Sequence, residues 1–405
     1  MHANHKSHSL LLSALLWALS FLSTVVSAQV LIPMDESQQR DHLKAYGLLY
    51  NAIEDGYDCH WLLNHRGGSF AILNADSKLI QQALLRGVSY ETSSATQLVQ
   101  LMADLKSPAK NTNTVALQRV PKIAVYSPDG AQPWDDAVTM VLEYADIPFT
   151  TIYDTEVLDG SLGDYQWLHL HHEDFTGQYG KFYGSYRDAA WYINQKASFE
   201  AAAIEMGFPK VSQQKLAVAK TIATFVENGG FLFAMCSATD SYDIALAAQK
   251  TDICESMFDG DPMAPGAAYQ LDYAPCFAFK DFTLETNPLR YEYSNIDITD
   301  RRVRSMKEDN DYFELFDFSA KYDVIPTILV QNHTDLVKSF YGQTTAFLPK
   351  TLKPTTTILG SNAVDGAARY IHGTQGKGYW TFYGGHDPED YQHRVGDPHT
   401  DLNNH

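Results

Sequence analysis

Cysteine is scarce in this chain: four in 405 residues, Cys59, Cys236, Cys254 and Cys276. They form no CxxC pair and no zinc-ligand spacing, which excludes a zinc ribbon or a thioredoxin-type redox motif. Positive charge is scarce as well, with 30 Lys and Arg against 49 Asp and Glu. Such a surface repels nucleic acid and anionic lipid, so neither is an expected partner. Beyond residue 28 no apolar run reaches bilayer-spanning length, and no repeat of fixed period occurs. There is no Gly-rich phosphate loop of the Walker type. An ATP-driven synthetase is therefore not expected.

What is present begins with a leader. His2, His5, Lys6 and His8 precede the apolar run Leu10 to Leu22, and Val26-Ser27-Ala28 supplies the small residues that signal peptidase requires. Residues 1–28 thus read as a signal peptide cleaved near Ala28, giving a soluble periplasmic or secreted protein; a retained N-terminal anchor is the alternative. Cleavage removes only Lys6 among the charged residues and leaves the chain more acidic. An oxidising compartment permits disulfides, and Cys254 with Cys276, separated by a loop-rich segment, is the better-placed pair, with connectivity open. The 24 Tyr residues suit contacts to a small-molecule or carbohydrate substrate, and equally an ordinary core.

Val30 to Pro33 reads as a strand, Leu43, Tyr46, Tyr50 and Ile53 share a helix face, and His60 to Leu63 is a strand again, closed by Arg66-Gly-Gly. This is a β-α-β start to a small α/β module over 29–118, whose second half is polar, with a helix around 95–105 and a linker at Pro108 to Thr114. From Lys122 the alternation restarts. Lys122 to Tyr126, Phe149 to Tyr153, Trp167 to His172 and Phe231 to Cys236 read as strands, with helices between them carrying Trp134, Val138, Val141, Leu142 and Ala145, and then Leu216, Ala219, Ile222, Ala223 and Val226. Buried, β-branched strands alternating with helices imply an α/β domain over 119–405 with a parallel sheet covered on both faces. Ser237 to Asp240 reads as the cap of a helix through Ile244 to Ala248. A Pro-, Asp- and Tyr-rich insertion lies at about 260–320, and late strands are expected at Val324 to Leu329, Thr355 to Leu359 and Tyr379 to Tyr383.

Three places carry chemistry-bearing residues. In Ala234-Met-Cys236-Ser-Ala238 a thiol stands between an apolar strand and the next helix. A nucleophile elbow needs small residues two positions away on each side, which Ala234 and Ala238 supply. A thiol at the positive end of a helix is favoured as the thiolate, the attacking form. The other reading of Cys236 is a small buried hydrophobe. Gly384-Gly-His386-Asp-Pro-Glu389 releases His386 from a strand end as a general base, with Asp387 or Glu389 to orient its ring; a plain Asp-Pro turn is the alternative. His169-Leu-His171-His172-Glu173-Asp174 ends a third strand, where alternation puts His169 and His171 on one face and His172 and Asp174 on the other. The cluster suits a divalent metal, or a hydrogen-bonded substrate wall that takes in Tyr179 and, at the helix start, Ser237 and Asp240. No cofactor is expected, a divalent ion being the minor alternative.

The order of strand, Cys236 elbow and later Gly-Gly-His386 resembles the class I glutamine amidotransferase-like superfamily between about Lys122 and His399. Leu168-His-Leu-His-His-Glu-Asp-Phe-Thr-Gly-Gln-Tyr-Gly-Lys, Phe233-Ala-Met-Cys-Ser-Ala-Thr-Asp-Ser and Tyr383-Gly-Gly-His-Asp-Pro-Glu-Asp-Tyr are similar to an exported family of Bacteroidetes that carries the name asparagine synthetase B. The resemblance implies a flavodoxin-like parallel sheet with helices on both faces, and thiol-based amide chemistry with Cys236 as nucleophile and His386 as base. Backbone N–H groups at the start of the Asp240 helix would then hold the oxyanion. Two other classes stay open. One is a non-catalytic carbohydrate-binding or accessory envelope protein with a mouth at Phe175 to Tyr192. The other is a metal-dependent hydrolase built on His169, His171 and His386.

Overall fold

A computed structural model describes residues 28–128, 137–299, 312–316, 319–321, 333–338, 344 and 346–385. The leader, Trp134 and the strand expected at Val324 to Leu329 lie outside the described residues.

Apolar triplets with neighbours on both sides build the first unit. Strands β1 (Ala28–Ile32), β2 (Asp58–Leu63), β3 (Phe70–Ala75), β4 (Glu91–Ser93) and β5 (Asn113–Leu117) alternate with helices α1 (His42–Glu54), α2 (Ser77–Leu85) and α3 (Ala95–Leu105). Val30 and Ile32 pack with Leu48, Leu49 and Leu79 beneath α1 and α2, while Leu31 faces Leu98 and Leu105 of α3. That two-sided cover is why β1 reads as a continuous apolar run. Asp41 caps α1 by accepting from Lys44 N at 2.9 Å, and Ser94 with Gln97 forms a capping box on α3. The sheet order is β4-β1-β3-β2-β5, and every pairing is antiparallel. The expected β-α-β start is thereby corrected. β3 lies between β1 and β2, because Asn64, Arg66, Gly67 and Gly68 all take positive φ and fold β2 back onto β3. The unit is β-α-β-β-α-β with one added strand, β5, which begins at the end of the segment expected as linker.

Strands β6 (Ile123–Tyr126), β7 (Phe149–Ile152), β8 (Trp167–Leu170), β9 (Phe231–Met235), β10 (Tyr312–Leu315), β11 (Leu336–Lys338), β12 (Thr357–Ser361), β13 (Ala368–Gln375) and β14 (Gly378–Tyr383) form the second sheet, in the order β11-β10-β12-β13-β14-β9-β8-β6-β7. β7, β6, β8, β9 and β14 run parallel, in the order 2-1-3-4-5 counted along the chain. The other four pairings are antiparallel, so the sheet is mixed where a parallel one was expected. The switch is local: Gly376-Lys377 closes a two-residue hairpin between β13 and β14, with Gly376 at φ +60°.

Helices α4 (Ala137–Ala145), α5 (Asp154–Leu158), α6 (Tyr183–Tyr186), α7 (Ala190–Glu205), α8 (Val211–Glu227), α9 (Ser237–Ala247) and α10 (Ser256–Asp259) complete the described α-helices. Val218, Ile222 and Val226 of α8 and Tyr242 of α9 cover one sheet face through Leu168, Leu232, Ala234 and Phe382; Leu142 of α4 meets Ile123 and Val125 on the other. Among its described residues the segment expected as an insertion has little regular structure, yet it buries Phe277, Phe279, Phe282 and Tyr293 in the main core. Buried irregular backbone needs acceptors for its N–H groups. Asp243 of α9 supplies them, accepting from Phe277, Ala278 and Phe279 N at 2.7, 2.8 and 2.9 Å. Burial pushes its carboxyl up to about 6 against the pull of those three donors. Among the described residues no helix is long and apolar enough to cross a membrane.

The two units meet where α1 crosses α4. A Cβ built on Gly47 would fall 1.5 Å from the Ala145 carbonyl oxygen, so only glycine permits this approach. Gly47→Ala is expected to cost about 1–3 kcal/mol, the usual range for overpacking, despite alanine's better helix propensity. Urea unfolding reads it; an unchanged or raised midpoint would contradict the close crossing.

Candidate functional site

The carboxyl ends of β8, β9 and β14 lie side by side, with Leu170 opposite Ala234 and Met235 opposite Tyr383. Ligand sites of open parallel sheets form at this edge. Cys236 follows Met235 at φ +50°, ψ −138°, and its N–H donates to Tyr383 O at 3.3 Å. A positive φ in a residue with a side chain costs about 1–3 kcal/mol and concentrates at functional sites. α9 starts at Ser237, immediately after the thiol, so Cys236 itself stands at the cap position and Asp240 lies in the first turn. The expected cap at Ser237 to Asp240 is thus corrected. Cys236 is 1% exposed.

Two serines of α9 fix the neighbouring loop. Ser237 Oγ donates to His172 O at 2.8 Å and Ser241 Oγ to Glu173 O at 3.1 Å. The histidines divide among different tasks. His169, inside β8, stacks on Phe233 with ring centroids 5.3 Å apart. His171 and His172 face each other edge-on, with 3.1 Å between their Nδ1 atoms, so one ring donates to the other. The expected two-face alternation ends at Leu170, where the strand ends. Glu173 accepts from His171 N at 3.1 Å. Asp174 accepts from Thr176 N and Oγ1, each at 2.6 Å, and from Gly180 N at 3.1 Å, drawing in a loop in which Tyr179, Gly180 and Lys181 all take positive φ. Both Asp174 oxygens thus serve the loop. His386, Asp387 and Glu389 lie outside the described residues.

The same loop borders a cavity of about 40 Å³, lined by Tyr153, Glu173, Asp174, Tyr179, Phe199 and Lys215; Cys236 is not in its wall. Lys215 went unnoticed in the sequence, although it falls on the apolar stripe of α8 between Val211 and Val218, the one signal that could have found it. Its Nζ lies 2.9 Å from Tyr126 Oη, Tyr153 Oη and both oxygens of Asp154.

All four cysteines are buried and none is in a disulfide. Cys254 Sγ donates to Thr176 O at 3.2 Å and Cys276 Sγ to Asp243 O at 3.3 Å, so the expected Cys254–Cys276 bridge does not form. Among the described residues the one trio with metal-ligand spacing is Asp252, Cys254 and Asp259, not the histidines. Lys210 Nζ sits 2.6 Å from Asp252 and 3.0 Å from Asp259, supplying the counter-charge that an ion would bring.

Deeper in α9, Asp240 is fully buried. Its Oδ1 accepts from Thr344 Oγ1 and Ser241 N, both at 3.0 Å. Thr344, held at φ +55°, also donates its N–H to Asp297 Oδ2 at 2.9 Å and so bridges the two acids. Burial and the Asp297 charge push Asp240 well above the usual carboxylate range, while burial raises Asp297 to about 6 against its own three donors.

No family model and no curated protein matches this chain. Among solved structures it is similar to two proteins titled cytoplasmic, STM3548 of Salmonella typhimurium (7% identity, 67% of this chain, 90% of that one, TM-score 0.31) and STM1381 of Salmonella typhimurium LT2 (9%, 67%, 90%, 0.31). It is also similar to a beta-galactosidase from Bacillus circulans sp. alkalophilus (10%, 65% of this chain, 28% of that one, TM-score 0.25). Likenesses of this size carry no argument about fold or activity.

Proposed function

We propose that the chain is an exported thiol hydrolase, related to the class I glutamine amidotransferase-like proteins, that acts on an amide or similar carbonyl outside the cytoplasm. The observation that carries the reading is the positive φ of Cys236 at the end of a parallel strand and the start of a helix. That is the conformation of a nucleophile elbow, and it aims the thiol at the start of α9, where N–H groups without helical partners favour negative charge. The 2-1-3-4-5 order of the parallel strands is that of flavodoxin-like sheets and supports the same assignment. Cys236 attacks the carbonyl carbon, an acyl-thioester forms, and water releases the acid; His386 serves as base in this scheme.

Incubation with p-nitrophenyl acetate, followed by peptide mass mapping, tests the reading. Acylation is expected at Cys236 and absent from Cys236→Ser. Equal labelling of the variant would remove the mechanism.

A second reading, sugar binding without turnover, draws on an aromatic cluster near this edge. Phe182, Tyr186 and Trp191 lie with ring centroids 5.2–6.0 Å apart, and Tyr291 is 5.7 Å from Phe182. Glycan binding that persists in Cys236→Ser, with no acylation of the native chain, would favour it.

A further inference from the structure

Two buried side chains near the thiol each leave one oxygen without a hydrogen-bond partner among the described residues: Asp240 Oδ2 and Tyr293 Oη. Asp240 is fully buried and Tyr293 is 1% exposed. Polar atoms so deeply buried are nearly always paired, and an orphan at a candidate active site marks a place for something else to bond. The Tyr293 hydroxyl lies within electrostatic reach of Asp240, of Asp174 and of the Cys236 thiol. Asp240 sits one helical turn beyond Cys236 on α9, and Thr344 bridges it to Asp297, four residues past Tyr293. Two segments distant in the sequence therefore converge behind the elbow, each bringing one unused polar group.

We infer that Asp240, as a neutral carboxylic acid, and Tyr293 form a pair of O–H donors for the substrate oxygen that becomes negative when Cys236 attacks. The inference rests on the thiol reading and names the substrate atom recognised: a carbonyl oxygen turning into an oxyanion. Sulfur forms a bond to the carbonyl carbon, and the C=O π pair moves onto oxygen. There the two O–H groups hold it. The pair then returns, the bond to the leaving group breaks, and the leaving group takes up the proton that the thiol lost.

The bonding around Asp240 fits a neutral acid. Oδ1 accepts twice, so a proton belongs on Oδ2, the oxygen without a partner. Asp297, with three donors aimed at it, is the better home for the negative charge of the pair. Burial and that nearby charge both disfavour ionising Asp240. Burial likewise pushes Tyr293 far above the usual phenol range, so both groups keep the protons they would donate. A neutral acid beside a tyrosine is an established way to stabilise an oxyanion.

Two reactions of the same thiol separate this role from a structural one. Alkylation by iodoacetamide needs the thiolate and develops no oxyanion, whereas acylation by p-nitrophenyl acetate develops one. Tyr293→Phe and Asp240→Ala are each expected to slow acylation about 100-fold and to leave alkylation within about twofold. Asp240→Asn, neutral and still an N–H donor, is expected to retain most of the acylation rate. Parallel losses in both reactions would reduce the pair to a structural support. Unchanged acylation in Tyr293→Phe and Asp240→Ala, or an Asn variant as slow as the Ala variant, would overturn the inference while the thiol reading stands. A native chain that is never acylated at Cys236 would defeat both.

Discussion

Cys236→Gly is expected to be more stable than Cys236→Ala by about 1–2 kcal/mol, while neither variant is acylated. At an ordinary position the order is the reverse. Glycine loses more backbone entropy on folding and typically costs about 0.5–1 kcal/mol relative to alanine. At φ +50°, ψ −138° the Cβ of alanine retains the strain that cysteine carries, and glycine releases it. Strain relief of about 1–3 kcal/mol outweighs the entropy term. Both variants lack the buried thiol, so lost packing of sulfur cancels between them. Urea unfolding of the two variants measures the difference. If Cys236→Ala is the more stable, residue 236 is not strained and the elbow argument falls.

The comparison matters because the fold has no stability reason to hold a non-glycine residue there. Gly384 and Gly385 show that the same sheet edge uses glycine where the chain turns, with Gly385 at φ +104°. A cysteine kept at positive φ, one residue before an 11-residue helix, trades stability for the placement of a sulfur.

Local signals in the sequence located much of this site. The continuous apolar run Phe231 to Met235 and the small residues Ala234 and Ala238 were enough to place a strand, a turn at Cys236 and a helix after it. Parallel strands have long apolar runs that need no knowledge of their partners, which is why β6, β8 and β9 were legible. Non-local pairing was not. Whether β2 lies beside β1 or across β3 depends on four residues with positive φ between 64 and 68, and only two of them are glycines. The hairpin at Gly376-Lys377 has an ordinary turn signal, but of the two strands it joins only Tyr379 to Tyr383 is expected from the sequence; β13 and the antiparallel extension of the sheet are not. The Asp240–Thr344–Asp297 bridge joins residues up to 104 positions apart, and no spacing in the sequence announces it. Neutral Asp240 looks in the sequence like a helix cap. Only burial beside another acid changes its chemistry.

Lys215→Met is expected to destabilise the chain by about 3–5 kcal/mol, the cost of leaving a buried charge without its partner. Asp154 is 3% and Lys215 2% exposed, so solvent cannot replace the lost ammonium. The carboxylate would retain the hydroxyl of Tyr126, a neutral donor and a weaker one. The Tyr126 and Tyr153 oxygens would also lose the donor they share. Removing both charges, in Lys215→Met with Asp154→Asn, is expected to recover most of the loss, because a pair buried this deeply repays little more than its own desolvation. The double-mutant cycle therefore separates two roles for Lys215. A large coupling energy means that the lysine exists to neutralise Asp154 and to pin α8 against β6 and α5. A double variant as unstable as Lys215→Met would mean instead that the methylene stem and the two tyrosine contacts carry the stability, and that the ion pair is incidental to the wall of the cavity.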